Sequence, residues 1–283
     1  MRQEAFDRIV AWFDRYVSGY LDLDPEGVRN IRLKQEHSRK VLEVMTALAL
    51  GEGLGSEESR LVAAVAILHD VGRFPQYRRW RTFRDRDSAN HARLGLEVLR
   101  DQRVLMHLAP AEQLLIEEAI RFHNLLEVPK RYRSPHDRAI RLIRDADKLD
   151  IWRVFDDYFQ QLPDERASAA GLGLPDRPEV TPVCLAALGA GQIVRLDMAR
   201  VLNDFVLLQI SWAYDLSTKT AYRLLDERGY LSRLAALLPD LPEVQAAVGR
   251  AQRHLEEATG FLSAGTECPL DSGERAGTLT AQL

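Results

Sequence analysis

Four histidines and two aspartates in this chain have the types and spacing to hold a divalent metal: His37, the adjacent pair His69-Asp70, His91, His123 and Asp147. Mixed imidazole and carboxylate ligands suit a borderline or hard ion, which leaves manganese, iron, zinc, cobalt, nickel and magnesium in play. Helical spacing turns each histidine inward. His37 precedes Val41 by four residues and Val44 by seven, and His69 follows Val65 by four. His91 precedes Leu94 and Val98 by three and seven, and His123 follows Ile116 and Ile120 by seven and three. A single inward histidine is ordinarily a core residue with its own hydrogen-bond partner. Four of them on four helices would need four separate partners, whereas one metal centre satisfies them together.

The acids complete the set. Asp70 ends a nearly all-apolar helix, where an unpaired carboxylate is costly or takes up a proton. Two acids then compete around residue 147. Asp147 follows Ile140 and Ile143 by seven and four residues and precedes Ile151 and Val154 by four and seven, so it faces inward. Asp145 shares a face with Arg138, Arg141 and Lys148 and is expected on the other side. Asp150 falls near the inner face and is expected to support a ligand. Neighbouring side chains on a helix diverge by about 100°. Asp70 is therefore expected to bridge to a second ion while His69 holds the first, with His91 and His123 as the second ion's ligands.

Six arginines follow the His-Asp pair, Arg73, Arg78, Arg79, Arg81, Arg84 and Arg86. The guanidinium fork suits phosphate. Most read as solvated, with Asp85 and Asp87 as counter-charges, and Arg73, nearest the pair, is the one expected to act on a substrate. Lys148 adjoins Asp147, but helical geometry turns it from that face. Phe74, Tyr77, Trp80 and Phe83 read as packing residues rather than a stacking platform. His107, His136 and His254 lack any surrounding pattern of ligands.

The elements that position these residues are helices. Ala5, Phe6, Ile9, Val10, Phe13 and Val17 share one face of a first helix that fades near Gly19. A second follows Asp24-Pro25 and ends before Gly51. Ser56 is the expected N-cap of a third, LVAAVAILHD. The segment VGRFPQYRRWRTFRDRDS reads as irregular, followed by helices over about 89–101, 110–124 and 136–160, the last opened by Ser134-Pro135. The stretch 161–191 is rich in Gly, Pro and Ala and reads as a loop or short helices. Helices resume in MARVLNDFVLLQISWAYDL, TAYRLLDERGYLSRLAALL and near 243–258, and a flexible tail is expected from Ser263. The expected architecture is all-α: a metal-binding helical core over 1–160, a loop-rich connection over 161–191, and a helical C-terminal extension over 192–262 packed on the core.

Composition narrows the setting. The 283 residues are 46% hydrophobic and 28% charged, as in ordinary globular proteins, and the net charge of −4 gives no general footprint for nucleic acid. Two cysteines, Cys184 and Cys268, without CxxC spacing argue against a disulfide framework or a thiolate zinc site. The charged first helix is neither a signal peptide nor a membrane span, and a cytoplasmic location without membrane association is the expectation.

At its candidate ligands the sequence resembles the HD-domain metal-dependent phosphohydrolases, and within them a bacterial branch of unassigned substrate. The order His, His-Asp, distant Asp is met by His37, His69-Asp70 in AILHDVGRF, and Asp147 in ADKLD. His91 in NHARLG and His123 in IRFHN match members that carry two metals. The resemblance covers about 25–160, and NDFVLLQISWAYDL looks like the sequel in the same branch. It implies an HD-type helical core, one or two divalent ions, and a small phosphorylated substrate, nucleotides included. His37, His69, Asp70 and Asp147 would hold the first ion and His91, His123 and a bridging Asp70 the second, with Asp70 and Arg73 serving catalysis. The lack of a GYP-type signature after His123 disfavours cyclic-di-GMP hydrolysis, and the lack of an attached synthetase disfavours a two-headed alarmone enzyme. Two other readings share the ligands: a di-iron oxygenase of the HD-like class, and a metal-holding regulatory module without turnover. Trp212, Tyr214 and the apolar C-terminal helices would serve a homodimer as well as a core.

Overall fold

The computed structural model describes residues 1–126, 128, 134–162 and 166–264, and for 261–264 the backbone alone. It is all-α, with no strand among the described residues. None of its helices is long and apolar enough to cross a membrane.

The first helices follow the sequence pattern closely. Helix α1 (Gln3–Ser18) buries Ile9, Phe13 and Val17 completely. Helix α2 (Pro25–Gly51) opens on Asp24, whose carboxylate accepts from the Gly27 amide at 2.8 Å, with Pro25 at the first helical position. In α3 (Ser56–Leu68) every residue from Val62 to Leu68 is buried, so the helix is the central post of the bundle. Its cap differs from expectation. Gly55 holds the N-cap position without a side-chain bond, and Ser56 is already helical. Helix α2 packs against α3 and, with the later helix α7 (His136–Gln160), forms the three-helix heart of the molecule.

The charged segment after Asp70 is more ordered than its composition suggests. Helix α4 (Arg73–Trp80) forms because Phe74 and Tyr77, three residues apart, both reach the core. Arg81 ends it in a left-handed conformation, φ 54°. A 3-10 turn over Asp85–Asp87 leads to α5 (His91–Asp101), capped by Asn90, whose side-chain oxygen accepts from the Arg93 amide at 2.9 Å. Helix α6 (Pro110–Phe122) then lies against α3, α5 and α7.

The C-terminal half is also helical: α8 (Pro182–Gly189), α9 (Leu202–Ser211) with a 3-10 turn at Trp212–Asp215, α10 (Lys219–Arg228), α11 (Tyr230–Ala235) and α12 (Pro242–Ala264). Gly229, at φ +62°, breaks the run 220–238 into α10 and α11. Helix α12 runs six residues past the expected end, from 258 to 264. The tail expected from Ser263 thus begins inside this helix, and 265–283 lie outside the described residues.

These helices cover the second face of α7, so Asp145, on the other side from Asp147, is buried there instead of facing solvent. That carboxylate is fully buried and accepts from the Ser217 and Thr218 amides at 3.0 and 2.9 Å and from the Thr218 hydroxyl at 2.8 Å. Burial, partly offset by Lys148, raises its pKa to about 6. The supposed outer face of α7 is an internal seam: Arg144 and Lys148 meet Asp215 at 2.6 and 2.7 Å, and the Trp152 indole donates to the Gln209 carbonyl at 3.1 Å.

Candidate metal centre

Five elements deliver the six sequence-selected residues to one place. His37 comes from the middle of α2, His69 caps the C-terminus of α3 with Asp70 next in line, His91 is the first residue of α5, His123 caps α6, and Asp147 lies inside α7. The imidazoles form a chain: ring centroids are 5.4 Å apart for His37–His69, 5.2 Å for His69–His123 and 5.0 Å for His91–His123. All four histidines and Asp70 are buried, and the Asp147 side chain is 20% exposed.

The protonation pattern follows from the neighbours. Each Nδ1 faces an atom that only accepts: Asp150 Oδ2 for His37, the Ala66 carbonyl for His69, Asp85 Oδ2 for His91 and the Ile120 carbonyl for His123, every one at 2.7 Å. Each Nδ1 must therefore carry the proton, which leaves each Nε2 of a neutral ring with a bare lone pair. His37 Nε2 and His69 Nε2 are buried without a hydrogen-bond partner. His91 Nε2 and His123 Nε2 face one another at 3.1 Å, two lone pairs pressed together. A cation resolves this arrangement, and backbone or carboxylate partners on the far nitrogen are how metal-ligating histidines are held.

Asp70 divides its oxygens between two groups. Oδ2 lies 3.6 Å from His37 Nε2 and 3.8 Å from His69 Nε2, while Oδ1 lies 3.4 Å from His91 Nε2 and 4.0 Å from His123 Nε2. Asp147 Oδ1 is 3.1 Å from His37 Nε2 and 3.6 Å from His69 Nε2. Tetrahedral ligands at about 2.1 Å from an ion stand roughly 3.4 Å apart, so these spacings are those of ligands around a cation. Three groups able to hold an ion result: His37, His69 and Asp70; His69, His123 and Asp147; and Asp70, His91 and His123.

Charge is balanced around the carboxylates. Burial works against ionised Asp70, but Lys34 Nζ at 2.8 Å and Arg73 Nε at 3.3 Å outweigh it and hold the group well below its usual range. Burial likewise opposes the Asp147 charge, and His37 and His69 outweigh it. Burial lowers His91 and takes His123 down to about 3, which keeps both neutral. At His37, burial and Lys34 disfavour the proton, yet Asp147 and Asp150 raise the pKa above the ordinary value.

Arg73 lies beside Asp70 and is also spent on Asp85 Oδ1, the Gln76 side chain and the Phe83 carbonyl at 3.1, 3.0 and 2.6 Å. Asp85 is more than a counter-charge: it orients His91 and, with burial overcome by His91 and Arg73, sits at about 2. Phe74, Tyr77 and Phe83 are buried packing residues, and Trp80 is partly covered by Arg79. His107, His136 and His254 contact Ala5, Glu118 and Tyr222 outside the centre. Sequence reasoning missed Lys34, although its position three residues before His37 on the inward stripe would have found it. It also missed Asn124, whose buried side-chain oxygen has no partner, and Arg144. Lys148 turns from the ligands but borders the same cavity. That cavity, about 650 Å³, opens over His37, His123 and Asp147 and takes Lys34 and Arg73 into its wall.

Fold and site together define an all-helical protein with an internal histidine–aspartate centre able to hold a divalent metal. Residues 35–152 match the sequence model of the HD domain, a domain whose superfamily is of the metal-dependent phosphohydrolase type. No curated protein and no solved structure matches the chain.

Proposed function

We propose that the protein is a metal-dependent phosphohydrolase that transfers the phosphoryl group of a small phosphate ester, nucleotides included, to water. The observation that carries this reading is the convergence of four Nε2 lone pairs on Asp70 and Asp147 at one end of an open cavity. His37, His69, Asp70 and Asp147 would hold one ion, and His91, His123 and the other oxygen of Asp70 a second. Bound there, divalent ions lower the pKa of water and neutralise phosphoryl charge. Lys34 and Arg73 border the cavity beside Asp70 and present cationic hydrogen bonds to the phosphoryl oxygens. Asp150 and Asp85 fix the His37 and His91 rings in the metal-ready tautomer. The water oxygen joins phosphorus, the ester P–O bond breaks, and a proton from that water ends on the departing alcohol.

The test measures bound metal by mass spectrometry and phosphate release over a panel of nucleotides and phosphoesters with manganese, cobalt, nickel or magnesium. Turnover is expected, with Asp147→Ala losing metal and activity and Asp145→Ala retaining metal. Oxygen uptake by the iron-loaded protein on a small alcohol, with no phosphate released from any ester, overturns the proposal.

A further inference from the structure

The geometry points to a phosphate ester whose alcohol is a bulky apolar group, an alkyl chain or ring system rather than a nucleoside, selected by the part of the chain beyond residue 152. This deepens the hydrolase reading of the metal centre and rests on it. Away from the ligand cluster, the cavity is walled by Val154, Phe155, Leu172, Phe205, Leu208 and Trp212. All six lie outside the matched domain, which ends at residue 152. The candidate ligands therefore come from one part of the chain and most of the apolar wall from another.

Among the described residues, the charged side chains in that wall are paired with one another. Arg144 and Lys148 share the Asp215 carboxylate, and Arg144 also donates to the backbone carbonyls of His123, Leu125 and Leu126. Arg195 is paired with Asp197 at 2.6 Å. A nucleobase and ribose brought against this wall would give up water without finding partners, which is unfavourable. An alkyl or aromatic group gives up nothing polar and gains from leaving water. Lys34 and Arg73 border the cavity at the ligand end, beside Asp70, where the phosphoryl group belongs. Among the described lining residues Asn124, beside His123, has an unpaired side-chain oxygen, and it too stands at that end.

Butyl-, hexyl- and octylphosphonate, which keep the anionic head and cannot be hydrolysed, test the wall directly. Their binding to the zinc-loaded full-length protein is measured by titration calorimetry alongside adenosine 5′-monophosphate. Affinity is expected to rise by up to about fourfold per added methylene, the equivalent of about 0.8 kcal/mol for each one buried. Octylphosphonate is expected to bind at least tenfold tighter than the nucleotide, and Val154→Asp to flatten the chain-length dependence. Affinity independent of chain length, or a nucleotide that binds tighter than octylphosphonate, overturns the inference whether or not any variant folds. Phosphate release from octyl phosphate and from the nucleotide is followed in parallel. Climbing affinity without turnover of any ester sinks the hydrolase reading and leaves the apolar site standing. Nucleotide turnover with flat phosphonate binding does the reverse.

Discussion

Every imidazole in the centre has its Nδ1 proton committed to a fixed acceptor, so the chemistry of the site is set by what each Nε2 meets. His37 is the odd member. Asp147 and Asp150 raise its pKa above about 6.5, against burial and Lys34, whereas burial lowers His91 and His123. A raised value means that the metal-free fold holds this proton more tightly than the unfolded chain. Its stabilisation is full below about pH 6.5 and is lost as pH rises through the folded value. The lowered His91 and His123 act in the opposite sense, holding fewer protons folded than unfolded, and drop out of the slope only well above about pH 6.5, where both are neutral in either state. Once pH is well above about 6.5, the melting temperature of chelator-treated protein should therefore fall as pH rises through the folded value of His37. The increment given by added metal should grow over the same interval, because the ligand must be deprotonated. Asp150→Asn should shrink the apo slope and weaken metal binding roughly 10–100-fold. An apo melting temperature flat over this interval, and the same in Asp150→Asn, counts against the assignment. At this scale the sequence was informative about Asp147, because its spacing from four apolar residues selects one face of α7. It was blind to Asp85, whose partner His91 is six residues away across a turn that no periodicity describes.

Between elements, the site depends on how closely α4 approaches α5. Gly72 stands two residues after Asp70, and a Cβ there would run into the His91 carbonyl and the Gly95 amide. Gly72 thus lets two backbones meet where a ligand begins its helix. Gly72→Ala should cost about 1–3 kcal/mol of stability by overpacking, seen in urea unfolding. It should also lower the stoichiometry of bound metal by pushing His91 away from His123. Wild-type values in both measurements would show that the two helices have slack. The helices most legible in the sequence were those with a continuous inward stripe, above all α7, expected over 136–160 and found over His136–Gln160. Helix α4 was hidden because arginines surround its two buried aromatics. The role of Asp145 was hidden for a different reason: a single helix's periodicity does not reveal that a second layer, α10 and α11, will cover its other face.

Across the whole molecule, the ligand-bearing helices and the C-terminal helices share a seam of buried polar contacts: Asp145 with Ser217 and Thr218, Arg144 and Lys148 with Asp215, and Trp152 with the Gln209 carbonyl. Buried hydrogen bonds of this kind are lost together, since breaking one side leaves the other unpaired. The two halves should therefore open as one cooperative unit. Cys184 on α8 reports on this from the far side of the seam. It is fully buried, and burial with the nearby Asp204 charge pushes its thiol up to about 11, so at pH 8 it is doubly protected from alkylation. In a Cys268→Ser background, labelling of Cys184 then requires opening of the C-terminal half. Metal at 1,000 times its dissociation constant stabilises the folded state by about 4.1 kcal/mol. Where closing outpaces labelling, modification tracks the open population, so metal should slow it roughly a thousandfold. Labelling that ignores the metal would mean that the C-terminal helices open independently of the centre, and that the seam does not couple them.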